Sequence, residues 1–152
     1  MGRNTSFGDS VFYDNSDDPE FEEGLVFVIM PFSSQLNDVY SAMKDECSKL
    51  SLDCVRVDEV TGSGFILKKI YDLIERAEFI IADLTEERPN VYYEIGYAHG
   101  VGNEGNEILL IAKEGTKLHF DIAPLAVRFY SSTEHLRSIV NSHLGMMIKD
   151  TR

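Results

Sequence analysis

Two hydrophobic periods take turns along this chain. "LVFVIMPF", from Leu25 to Phe32, is a continuous apolar run stopped by Pro31, the pattern of a strand buried on both faces. "NDVYSAMKDECSKL" then places Val39, Met43, Cys47 and Leu50 at helical spacing, with Asn37 as the expected cap. "LDCVRVDEV" reads as a second short strand. "TGSGFILKKIYDLIERA" opens on glycines and sets Ile66, Ile70, Leu73 and Ala77 on one helical face. "EFIIADL" is a third strand, and "NVYYEIGYAHGVG" a third helix closed by glycines. "NEILLIAKE" is a fourth strand. After a loop containing Pro124 come a fifth strand, "LAVRFYS", and a last helix, "STEHLRSIVNSHLGMMI".

Strands that alternate with helices predict right-handed βαβ units, a mainly parallel sheet and helices on both faces. Five strands fit an α/β, flavodoxin-like, three-layer fold with strand order 2-1-3-4-5, whose ligands bind at the carboxyl ends of the strands. Residues 1–24 show no sustained period and read as a flexible acidic segment ahead of one domain over residues 25–150.

Charge narrows the range of partners. The formal net charge is −12, and residues 1–24 hold seven acids against Arg3 alone. Long-range attraction to a nucleic-acid polymer or an anionic membrane is therefore not expected, and a small anion must be held by local donors. No apolar run approaches the ~20 residues of a membrane span, and the first residues lack the apolar stretch of a secretory signal. Cys47 and Cys54 stand apart from any ligand-like spacing. They predict buried thiols of a reduced, cytoplasmic protein, and no metal site.

The predicted carboxyl edge of the sheet carries Met30-Pro31-Phe32 after strand one, Asp58-Glu59 after strand two and Asp83 after strand three. In the third helix, with Asn90 capping and Pro89 before it, Val91, Ile95 and Ala98 form the buried stripe. Glu94 then sits on its flank in the first turn, where the helix N-terminus favours an ionised carboxylate. Tyr93 and Tyr97 are spaced to stack at i,i+4. A first-turn glutamate also serves simply to complement the helix dipole. Converging Glu94, Asp83 and Asp58 would suit an oxocarbenium-like transition state at a glycosidic bond. In "DEVTGSGFI", Gly62, Ser63 and Gly64 lead into a helix N-terminus fit for an anion, with Arg56 and Lys68 near it. The loop matches neither a Walker A sequence nor GxGxxG.

Taken together, "VFVIMPF", "VRVDEV", "AEFIIADLTEERPNVYYEIGYAHG" and Phe120-Asp121 resemble the nucleoside 2-deoxyribosyltransferase-like superfamily, and more closely its bacterial TIR-like relatives. The resemblance implies that Glu94 of "EIGYA" attacks or stabilises the anomeric carbon. It further implies that Asp83 handles base or sugar, and that Met30, Pro31, Phe32, Asp58, Gly62, Ser63, Gly64, Asn90, Tyr93 and Tyr97 surround the substrate. Two departures stand out: "IMPFSS" replaces a Gly-Pro stretch after strand one, and "GMMIKDTR" lacks the short C-terminal motif that completes a neighbour's site. They favour a nucleotide N-glycosidase over base exchange. NAD is the expected substrate, because nicotinamide leaves without a general acid; a purine would need a donor such as His99 or Asp83. The alternatives are a deoxyribosyltransferase or deoxynucleotide N-hydrolase, and a non-catalytic nucleotide-binding or self-association module. No cofactor beyond the substrate is implied. A homo-oligomer is expected, because Leu136, Ile139, Val140, His143, Leu144, Met146, Met147 and Ile148 exceed one helix face.

Overall fold

The computed structural model describes residues 21–59, 66–86, 88–103, 107–118 and 126–152. Its five strands are β1 (Glu22–Ile29), β2 (Asp53–Arg56), β3 (Ala77–Asp83), β4 (Ile108–Lys113) and β5 (Val127–Tyr130). They form one sheet in the order β2-β1-β3-β4-β5, every pairing parallel. The helices are α1 (Asn37–Lys49), α2 (Ile66–Arg76), α3 (Pro89–Gly100) and α4 (Thr133–Thr151). The fold class and strand order expected from the sequence are those observed.

Strand parity divides the interior into two cores. Val26, Val28, Phe79, Ile81, Leu109 and Ile111 face α1 and α4, where Met43, Cys47, Leu136, Val140 and Leu144 pack on them. Their sequence neighbours Phe27, Ile29, Ile80, Ala82 and Leu110 face the opposite way, towards Ile70, Leu73 and Ile74 of α2 and Val91, Ile95 and Ala98 of α3. Strands sandwiched in this way must be apolar on both faces, which is why their sequences do not alternate.

Several expected boundaries move. β1 begins at Glu22, inside the segment assigned to the acidic lead-in, and Glu22 pairs in register with Ala77. The acids there find cationic partners: Arg76 lies 2.6 Å from Glu22, and Arg152 lies 2.7 Å from Glu23. Gly24 sits at φ +86° where the register with β3 shifts, a backbone position that a side chain would strain. Asn37 does not cap α1. A 3₁₀ turn over Ser34–Leu36, capped by Ser33, runs directly into the helix and makes Asn37 its first residue. Ala77 opens β3 instead of closing α2, and Ile66 is 65% exposed. Cys47 and Cys54 are buried free thiols.

The surplus apolar surface of α4 is smaller than its sequence suggests. Met147 joins Leu136, Val140 and Leu144 in the core, and Ile139 and Ile148 pack at its margin. Met146 remains, 58% exposed. Met147 is therefore part of the fold and does not form an outer face. No described helix is long and apolar enough to cross a membrane.

Candidate functional site

A cavity of about 320 Å³ opens at the carboxyl end of the sheet, where the strand order turns back from β2-β1 to β3. Each wall has a different origin. The end of β1 supplies Phe27 to Ile29 and runs into Met30, Pro31 and Phe32. β2 ends on Arg56, with Val57 following; α2 contributes Ile66 and Ile70. The start of α3 contributes Arg88, Asn90 and Glu94. Six of the sequence candidates thus meet here: Met30, Pro31, Phe32, Arg56, Asn90 and Glu94. Gly62, Ser63 and Gly64 lie outside the described residues.

Glu94 is the one carboxylate among the described lining residues, and only 8% of it is exposed. Its position in the helix differs from the expected one. Pro89 takes the first helical position and Arg88 the cap, so Asn90 lies within the helix and Glu94 falls in the second turn. The dipole effect fades within the first turn, whereas burial disfavours the charged form strongly. Burial wins: the Glu94 carboxyl is pushed up to about 7 from the ordinary 4.5, against the opposing pull of a hydrogen bond with the Asn90 side chain. The group changes charge near neutral pH, the property of a side chain poised for acid or base work.

The two aspartates do not join it in the cavity. Asp83 is fully buried, and its parity is that of Phe79 and Ile81, so it belongs to the α1/α4 face and not to the Glu94 side. Its Oδ2 accepts from the Tyr130 hydroxyl at 2.9 Å, and its Oδ1 accepts from the Thr85 backbone N–H at 2.8 Å and from the Thr85 hydroxyl. Burial raises its carboxyl above the ordinary range while these bonds pull it back. Asp83 therefore ties β3 to β5. Asp58 lies beside the cavity in a 3₁₀ turn and grips Arg56 through both carboxylate oxygens, at 2.7 and 2.8 Å. The Arg56 hydrogen bond holds its carboxyl below the usual value. Convergence of three carboxylates is thus corrected, among the described lining residues, to one carboxylate with two guanidinium groups.

The tyrosines also differ from expectation. Both Tyr93 and Tyr97 engage Tyr71 of α2 and do not line the cavity. The Tyr93 and Tyr71 hydroxyls are 2.8 Å apart, and the Tyr97 and Tyr71 rings have centroids 4.1 Å apart. Tyr97 donates further to Glu75 at 3.1 Å. This contact between helices packs α3 against α2 and so fixes the helix that carries Glu94. His99 is exposed at the far end of α3. Arg88, which the sequence reading passed over, was marked by its place just before the proline that starts the helix.

No known family profile and no curated protein matches this sequence. Among solved structures, a variant flavo di-iron protein from Thermotoga maritima superposes with a TM-score of 0.60 at 14% identity, covering 86% of this chain. The match spans 37% of that protein's length. A CMP N-glycosidase from Clostridium botulinum superposes with a TM-score of 0.58 at 17% identity, covering 77% of this chain and 98% of that one. At such identities the likeness establishes a shared α/β architecture.

Proposed function

We propose that this chain is a nucleotide N-glycosidase in which Glu94 acts at the anomeric carbon, with NAD as the preferred substrate. The observation that carries the reading is a buried glutamate, pushed up to about 7, in a cavity whose described walls hold no second carboxylate. Cleavage of a neutral base calls for a proton donor to the leaving nitrogen while a second group handles the sugar. Nicotinamide in NAD is already cationic and departs as a neutral molecule carrying the bonding pair. Ionised Glu94 then meets the positive charge that develops at C1′. Water completes the reaction at C1′, and its proton passes to the carboxylate or to solvent, giving nicotinamide, ADP-ribose and a proton. Phe32 forms an apolar wall. The likeness to the CMP N-glycosidase, which extends over nearly all of that chain, is in keeping with base–ribose cleavage. It also favours a second reading, in which the substrate is a nucleoside monophosphate.

The test is incubation of the protein with NAD, with CMP and with deoxynucleosides plus an acceptor base, followed by mass spectrometry. Free nicotinamide from NAD supports the first reading, and free cytosine from CMP the second. Exchange of bases without free sugar would identify a deoxyribosyltransferase. Binding without turnover, unaffected by Glu94→Gln, would identify a nucleotide-reading module.

A further inference from the structure

Arg56, at the end of β2, has capacity that cleavage at C1′ does not use. It is 9% exposed and lines the cavity. Nε and Nη2 are spent on Asp58, while Nη1 is buried and has no hydrogen-bond partner among the described residues. The guanidinium carbon lies over two rings, 4.4 Å from the Tyr40 centroid and 5.1 Å from that of Phe32. Such stacking fixes a planar, permanently charged fork and lowers the entropy lost when it grips an anion. A buried N–H without an acceptor is costly to keep. Asp58, whose side chain is 40% exposed, is able to share the cation with an incoming anion. Arg88 brings a second cation to the same cavity.

We infer that Arg56 is the phosphate-recognition residue of this cavity, so that the ligand is a phosphorylated nucleoside and not a free one. The inference rests on the N-glycosidase reading only in placing the ribose beside Glu94. Phosphate is the fitting class because a guanidinium presents paired donors to its oxygens. The pair Arg56–Asp58 also predicts opposite signs for two substitutions. Arg56→Lys keeps the charge but loses the fork and the stacking. Asp58→Asn removes the competing carboxylate and leaves the guanidinium underneutralised.

Ribose 5-phosphate and ribose are the probes, since neither contains a base and neither is cleaved. Binding is followed by NMR of the arginine Nε–H resonances and by shift titration at low salt. The wild type should bind ribose 5-phosphate about tenfold or more tightly than ribose, with the Arg56 Nε–H moving. Arg56→Lys should erase most of that preference, and Asp58→Asn should tighten ribose 5-phosphate several-fold without changing ribose. If Arg56→Lys fails to fold, Asp58→Asn alone decides the matter. Equal affinity of the wild type for both probes, or an Asp58→Asn variant with unaltered phosphate affinity, overturns the assignment. Phosphate preference without turnover of any nucleotide leaves the Arg56 assignment standing while the glycosidase reading falls. Turnover without the preference does the reverse.

Discussion

Replacing Glu94 by glutamine should destroy turnover and stabilise the protein, the second effect growing from about pH 4.5 and complete just above pH 7. In the folded chain the carboxyl titrates at about 7, against 4.5 for an ordinary glutamate. Between those values the folded state holds a proton that the unfolded state has released, so stability falls as pH rises through this window. At 1.36 kcal/mol for each tenfold difference, the loss reaches roughly 3 kcal/mol once both states are ionised. Glutamine keeps the shape and the hydrogen-bonding capacity towards Asn90 but carries no charge. Near pH 4.5 the two proteins should therefore be about equally stable. Near pH 8.5 the variant should lead by roughly 3 kcal/mol, or roughly 6–12 °C in melting temperature for a chain of this size. Urea unfolding of both proteins across that range measures the difference, in which the titration of every other group cancels. Turnover of the released-base assay should drop by more than about 100-fold. In the wild type, kcat/KM should rise with pH through about 7 as Glu94 ionises. A stability difference that stays flat with pH would show that Glu94 is not a desolvated carboxylate, and the mechanism built on its charge would go with it.

Three other changes probe the frame around the cavity. Tyr130→Phe removes a hydrogen bond to the buried Asp83 and should cost about 1.5–3 kcal/mol in urea unfolding. The KM for nucleotide should hardly change, because neither residue lines the cavity. Beginning the chain at Phe21 should leave the sheet intact, since β1 starts at Glu22. Removing Glu22 to Gly24 as well takes away the Arg76 ion pair and the edge of the β1–β3 pairing, and thermal melts should separate the two truncations. Met147→Asp should unfold the domain by placing a charge in the core, whereas Met146→Asp, on the exposed side of α4, should fold normally. A fall in mass with Met146→Asp, seen by light scattering, would support the homo-oligomer we propose; an unchanged monomeric mass in both wild type and variant would dismiss it.

The fold was legible because its evidence is local and repeated. Each apolar run names a strand without reference to any other, and the alternation with helices dictates a parallel sheet. The placement of residues around the cavity was legible in part for the same reason. Met30, Pro31 and Phe32 follow β1, Asn90 and Glu94 open α3, and any sheet of this order brings those two ends together. What misled was treating every carboxylate at a strand end as facing the same crevice. The period of two along β3 already separated Asp83 from Glu94: Asp83 shares parity with Phe79 and Ile81, while α3 packs against Ile80 and Ala82. The expected ionised state of Glu94 failed on two residues of helix phase. Starting the helix at Pro89 instead of capping it at Asn90 moved the glutamate beyond the reach of the dipole and left burial in control.

That same shift gives the cavity its chemical character. A carboxylate on a helix's first turn would be ionised at every physiological pH, and would need partners nearby to disperse its charge. Glu94 instead shares a cavity with Phe27, Ile29, Ile70 and Phe32 and is largely buried, so its charge depends on pH. A positively charged ring-bearing ribose, or the oxocarbenium that follows from it, lowers the cost of ionising the group as it arrives. In the function we propose, the anionic end of the same ligand meets Arg56, which lines the same cavity as the end of β1. In a chain of net charge −12, a phosphorylated ligand would depend on these local cations to settle at all. For the substrate we propose, ligand and site are matched by sign at both ends, and that match, more than the presence of a glutamate, is the physical ground for proposing a dinucleotide with a cationic base over a neutral nucleoside.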